Sequence, residues 1–355
     1  MSVVRNLTSL ALFTLAAVAL PAQTTVTLTA TADNTLYQNA TGALSNGKGI
    51  GIFVGMTGGG VATRAVLRFN VAASIPAGAT IVGARLTLDA AQSNYPLPLQ
   101  VTGHRLLQNW GEGTSVAPLG GGGGAAATAG DATWLHTFFN TSLWTTAGGT
   151  FGPATFAWDT PAFGLSSSSD GPATVADVQF WLDNPAQDFG WLLKSDETLP
   201  APTARRFVSR DATTGTKPRL TVTYLLPGQI GTWGTGCPTT AGTFGTNWIG
   251  PMIGGTTVQL GHTGATPNSV GVNYFALDLY QPGALLLPSC NLYLPITLSW
   301  IPGFVFLTDG AGNGVPAAWN VPSIYPGLYF VSQSAVLDGS PFGLALSNAA
   351  VAVIQ

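Results

Sequence analysis

The chain has 355 residues, 46% of them hydrophobic and only 8% charged, where an ordinary soluble domain carries about 25% charged residues. Twelve Lys and Arg stand against 15 Asp and Glu, a net charge of −3, so there is no basic field to hold nucleic acid or an anionic membrane. Three His and two Cys leave little material for transition-metal or thiol chemistry, while 46 Gly point to a turn-rich β-protein, long enough for two domains.

Residues 1–22 read as a secretory signal peptide. Arg5 supplies the positive start, Leu7 to Leu20 the apolar run, and Pro21-Ala22 a small-residue cleavage site before Gln23. The run is short for a bilayer span of ~20 residues. Later apolar runs are broken by Pro282-Gly283 and Pro302-Gly303, so no transmembrane span is expected. The expected location is extracellular or at the cell surface. In that oxidising setting Cys237 and Cys290 most simply form one disulfide.

Residues 23–226 alternate with period two in Thr25 to Ala30, Ala65 to Phe69, Ala84 to Leu88, Leu99 to His104 and Arg219 to Tyr224, which predicts strands. One helix is predicted over Thr174 to Asn184, stopped by Pro185. The Gly120 to Gly124 run and Ser166 to Ser169 read as loop insertions. Charge is unevenly placed: residues 23–226 hold 11 Lys and Arg and 12 Asp and Glu, whereas 227–355 hold only Asp278, Asp309 and Asp338. A boundary near Leu226, a Gly-rich linker over 227–236 and a small β-rich domain over 237–355 follow. The fold expected is all-β, a jelly-roll β-sandwich followed by a smaller β-sandwich-like domain.

Several stretches occur in order: Ala32-Asp-Asn-Thr-Leu-Tyr, Asn46-Gly-Lys-Gly, Arg64-Ala-Val-Leu-Arg-Phe-Asn, Ile75 to Leu88, Trp110-Gly-Glu-Gly, Asp131-Ala-Thr-Trp, Asp188-Phe-Gly-Trp and Phe207-Val-Ser-Arg-Asp. With them, residues 24–226 resemble the DNRLRE family, which is related to carbohydrate-binding modules. The strand that in the family ends Phe-Asp ends Phe69-Asn70 here, which weakens any metal role for that position. The second half, through Gly234-Thr-Gly-Cys, Thr308-Asp-Gly-Ala-Gly and Leu344-Ala-Leu-Ser-Asn, resembles uncharacterised modules of secreted bacterial proteins. That resemblance implies a setting and no activity.

No nucleophile elbow, zinc-protease motif or phosphate loop occurs. Adjacent Asp196 and Glu197 would point to opposite faces of a strand, the wrong arrangement for a glycosidase pair. His104 and His136 lie among apolar residues and read as structural. Binding is better served. Alternation puts Ala65, Leu67 and Phe69 inward and Arg64, Val66 and Arg68 outward, with Arg85 outward on its own strand. Three guanidiniums on one face would suit uronic acids or sulfated sugars; paired to carboxylates they would be scaffolding. Trp110, Tyr95 and Trp144 are the candidate exposed rings for sugar stacking, and Trp181 and Trp191 are expected in the core. Asp33 is a candidate for a structural Ca²⁺, which the resemblance to carbohydrate modules suggests.

The leading expectation is a secreted, non-catalytic binder of an acidic polysaccharide. The competing one is a structural or adhesive surface protein whose uncharged second domain meets an envelope or matrix component. A polysaccharide lyase comes third. Exposed Arg and Trp on one face would favour the first, buried Trp and paired Arg the second.

Overall fold

The computed structural model describes residues 23–200, 202–281, 283–287, 290–297, 299–340 and 342–355; the predicted signal peptide lies outside the described residues. The first domain comprises β1 (Thr24–Thr29), β2 (Ala32–Tyr37), β3 (Leu44–Ser45), β4 (Gly51–Met56), β5 (Ala62–Arg68), β6 (Thr80–Ser93), β7 (Leu99–Leu106), β8 (Ala125–Ala126), β9 (His136–Phe138), β10 (Ser142–Leu143), β11 (Phe151–Thr160), β12 (Gly164–Ser167), α1 (Pro172–Asp183), β13 (Trp191–Ser195), β14 (Arg205–Val208) and β15 (Arg219–Leu225). One antiparallel layer runs β1-β15-β6-β14-β4, with β12 also on β6. The other runs β5-β13-β7-β11, with β2 also on β5. Strand β4 passes between them, pairing with β14 along its length and with β5 at Gly55 and Met56.

The inward faces are the alternating apolar sets expected of such strands. Ala65, Leu67 and Phe69 of one layer and Ala84, Leu86 and Leu88 of the other share one core. Helix α1 starts at Pro172 after Gly171, where a missing N–H costs nothing, and ends at Asn184 before Pro185. Its Val178, Trp181 and Leu182 close the core, and Trp191 donates its indole N–H to Asp177 Oδ2 at 2.7 Å.

The outer face of the β2/β5/β13 layer is not open. Residues 107–150 fold over it, and Trp110, Trp134 and Trp144 pack on Leu36, Val66 and Leu192 as a second apolar cluster. The Gly120 to Gly124 run belongs to this cover: Tyr37 donates its hydroxyl to the Gly121 carbonyl at 2.5 Å, and β8, directly after the run, pairs with β3. Ser166 and Ser167, expected in a loop, lie instead in β12, opposite Leu88 and Thr87 of β6.

The second domain contains β16 (Ile230–Trp233), β17 (Pro238–Thr239), β18 (Gly242–Thr243), β19 (Gly245–Ile249), β20 (Thr257–Thr263), β21 (Val270–Ala276), β22 (Ala284–Leu287), β23 (Cys290–Leu292), β24 (Ile301–Leu307), β25 (Gly314–Asn320), β26 (Tyr329–Leu337) and β27 (Leu344–Val353). Its sheets run β16-β27-β26-β21-β24 and β19-β20-β25. Cys237 and Cys290 are disulfide-bonded, both buried, with Cα atoms 4.8 Å apart. The expected linker over 227–236 is corrected in part. Ile230 to Trp233 form a strand paired with Ala349 to Ala352, because their backbone completes the edge of β27. The two domains also touch: Gln281 donates to the Val82 carbonyl, and Val82 and Leu225 pack in the second domain's core.

Candidate functional site

The residues expected to meet a ligand are dispersed and engaged internally. Strands β5 and β6 belong to opposite layers, so Arg85 faces out on the far side from Arg64 and Arg68, and the three guanidiniums do not share a face. Arg64 donates from Nε and Nη2 to the two Glu197 oxygens at 2.6 and 2.8 Å, donates to the Gly148 carbonyl at 2.7 Å, and lies 4.6 Å over the Trp134 ring. Arg68 donates to Asn109 Oδ1 at 3.0 Å and sits 5.3 Å over Trp110. Arg85 donates from Nε to Asp170 Oδ2 at 3.1 Å.

Two of the aromatic candidates, Trp110 and Trp144, need the same correction. Trp110 is 1% exposed and donates its indole N–H to the Phe189 carbonyl at 2.8 Å, and Trp144 is buried with its N–H on the Thr133 carbonyl. Both are consumed in roofing the sheet. Tyr95 is half-buried, and its backbone carbonyl receives the Ser93 hydroxyl at 2.9 Å and an Arg205 guanidinium N–H at 3.2 Å. His104 donates from Nδ1 to the Gly152 carbonyl at 3.0 Å, and burial lowers its pKa.

What the fold does assemble is a polar cluster from sequence segments far apart. Asp33 lies near the start of β2, Lys48 in the turn before β4, Glu112 in the cover, and Arg210 and Asp211 just past β14. Asn34 ties the segments together: its Nδ2 donates to Ser45 Oγ and to the Glu112 carbonyl, both at 2.9 Å, and its Oδ1 accepts the Asn46 N–H at 3.0 Å. Asp131 clamps the cover, its Oδ1 accepting the Thr114 N–H at 2.9 Å and its Oδ2 the Thr128 N–H at 2.6 Å. Gly47 is required by this packing, since a Cβ there would strike the Glu112 carbonyl. These are the stretches on which the family resemblance rests, and here they act on one another.

Within the cluster, Arg210 donates to both Glu112 oxygens at 2.7 Å, Lys48 Nζ lies 2.5 Å from Glu112 and 3.5 Å from Asp211, and Asp33 Oδ2 accepts the Arg210 backbone N–H at 2.6 Å. Asp33 is 1% exposed and its Oδ1 has no partner. Burial pushes its carboxyl up to about 7, with the Glu112 and Asp211 charges adding to the rise and the Arg210 N–H opposing it. Oxygens of Asp33, Glu112 and Asp211 come within 4.8 Å of one another, a spacing a hard cation could bridge. In charge the group does not fit. Lys48 and Arg210 already offset two of the three carboxylates, and burial raises the Asp33 carboxyl to about 7.

A second polar region lies on the outer face of β7 and β13, where Gln100, Thr102, His104, Lys194 and Asp196 bound a groove of about 440 Å³. Lys194 is held only loosely, 3.9 Å from Glu197. No Tyr lines this groove among the described residues, so the His, Tyr and Arg set of a lyase is not assembled in it. Sequence reasoning missed Arg205, which is fully buried and donates to Thr160 Oγ1 at 2.6 Å and to the Leu97 carbonyl at 3.0 Å. A signal existed: on a strand Arg205 shares the inward face of Phe207, so one of two adjacent arginines had to point in.

No family model matches the chain, and no curated protein matches it. Among solved structures it is similar to a β-1,2-glucanase from Parabacteroides distasonis, at 8% identity and a TM-score of 0.19. The match covers 94% of this chain and 37% of that one. A likeness at that score carries no argument about activity.

Proposed function

We propose that the chain is a secreted, non-catalytic structural or adhesive protein, with the first domain as scaffold and the second as the associating part. One observation carries the reading. Register sets Leu344 opposite Leu337 and Val270 opposite Leu307, and the Gly271–Val336 pair brings the two together as a row across β27, β26, β21 and β24, each side chain between 41% and 62% exposed. Such a row in water favours association. Strand β24 ends its sheet, and its far end bridges from Thr308 to Gly314 of β25, so the edge at Leu307 is closed and only the outer face of the row stays open. This apolar face can meet the same face of a second copy about a twofold axis. The engagement of Arg64, Arg68, Arg85, Trp110 and Trp144 within the first domain adds support.

Polysaccharide binding stays as the second reading, favoured by the groove beside Lys194. Affinity electrophoresis of the chain from Gln23 onward, in gels containing alginate, pectin or a neutral glucan, separates the two. The scaffold reading expects unchanged mobility in every gel. Retardation by an acidic polymer that is lost in Lys194→Ala would overturn it.

A further inference from the structure

Strands β24 and β25 leave a common turn at Asp309 to Gly312 but enter different sheets, β24 on β21 and β25 on β20. Away from that turn the sandwich stays open, and a cleft of about 420 Å³ reaches its core. Phe275, Phe304, Trp319 and Phe330 form its walls, with Ile301 and Tyr325 exposed at its mouth. A bulge sets Ile301 there. Val272 pairs with Val305 but Tyr274 with Pro302, so β24 spends one extra residue and Ile301 falls opposite inward-facing Phe275. Val305 and Leu307 remain on the outer face.

The lining decides the ligand class. No charged side chain lines the cleft, and the Tyr325 hydroxyl and Trp319 indole N–H are its only polar side-chain groups among the described residues. A sugar ring seated here would leave several hydroxyls unpaired, each at a desolvation cost. A peptide would leave its amides in the same position. A hydrocarbon chain asks for no partner, and the volume lies in the range of small-molecule sites. Residues 227–355 carry no Lys or Arg, so no cation nearby selects an acidic head group.

We infer that this cleft binds an uncharged alkyl chain, such as the tail of a long-chain alcohol. The site does not rest on the scaffold reading and survives its failure. Titration of the full chain with 1-hexanol, 1-octanol and 1-decanol, followed by calorimetry and tryptophan emission, tests it. Affinity should rise about fourfold per methylene, from ~0.8 kcal/mol for each CH₂ removed from water.

Ile301→Glu and Tyr325→Glu, two separate variants at exposed mouth positions, should each weaken 1-decanol at least tenfold. Val305→Glu, on the outer face of the same strand and 72% exposed, should leave it unchanged. Absence of binding up to the solubility limit of 1-decanol, affinity independent of chain length, or equal weakening by Val305→Glu would overturn the assignment. So would tight binding of an apolar β-strand peptide with none of the alcohols.

Discussion

The substitution Asp33→Asn separates a buried, neutral carboxyl from an ordinary ion pair. Burial raises this group from 3.8 to about 7. A carboxyl raised on folding stabilises fully below its unfolded pKa, and that contribution is lost as pH rises through the folded value. A shift of about three units is worth ~4 kcal/mol at ~1.4 kcal/mol per unit, an upper figure because the cluster's charges respond together. This contribution of a few kcal/mol should therefore be lost between pH 4 and pH 8. The Asn side chain keeps an acceptor for the Arg210 N–H and carries no charge, so the variant should unfold like wild type near pH 4.5 and at higher urea near pH 8. Other groups tilt both curves alike, Asp188, pushed up to about 6, in the same direction and His262, pushed down to about 4, in the opposite one, so the difference between the two proteins is the quantity to read. Urea unfolding followed by circular dichroism at pH 4.5, 6, 7 and 8 measures this. Parallel pH curves for the two proteins, or a variant less stable at pH 8, would refute a carboxyl held neutral by burial.

Other outcomes follow from the same geometry. Arg205→Met should cost about 3 kcal/mol in urea unfolding, because the carbonyls of Thr160, Tyr95 and Leu97 lose their buried donor. His262 stacks on Phe306 at 3.7 Å, and burial pushes it down to about 4. A base lowered on folding stabilises above its unfolded pKa, so the second domain should weaken by ~3 kcal/mol as pH falls from 6.5 to 4, and His262→Gln should flatten that fall. Calcium at 5 mM or excess EDTA should leave the melting temperature within 1 °C, since Lys48 and Arg210 already balance the cluster; a rise with calcium would restore the metal reading.

What the sequence conveyed well was local. The alternation around Arg64, the Pro-bounded helix and the pairing of two lone cysteines follow from period, backbone chemistry and count, and each is present. Layer assignment was not legible: alternation told that Arg64 and Arg85 face outward, but which layer a strand joins is set by partners over a hundred residues away, such as β14 and β15 on β6. Nor could the Gly-rich cover be read, because residues 107–150 have no period, and their burial comes from three tryptophans meeting Val66 and Leu192. The motifs that build the polar cluster do not reveal its geometry, since Glu112 lies 64 residues from Lys48 and 98 from Arg210. Exposure of Trp110 was misjudged because a glycine-rich neighbourhood resembles a surface loop until the sheet beneath it is known.

Self-association through the uncharged sheet face is the central claim, and sedimentation velocity over a range of concentrations tests it most directly. Wild type should shift to dimer as concentration rises, and 0.5 M NaCl should not weaken the shift, because Asp309 and Asp338 beside the row offer only like charges for salt to screen. Leu307→Lys with Leu337→Lys, both side chains already more than half exposed, should sediment as a folded monomer throughout. A wild-type chain that stays monomeric at every concentration, or a double variant that associates as well as wild type, would contradict the account.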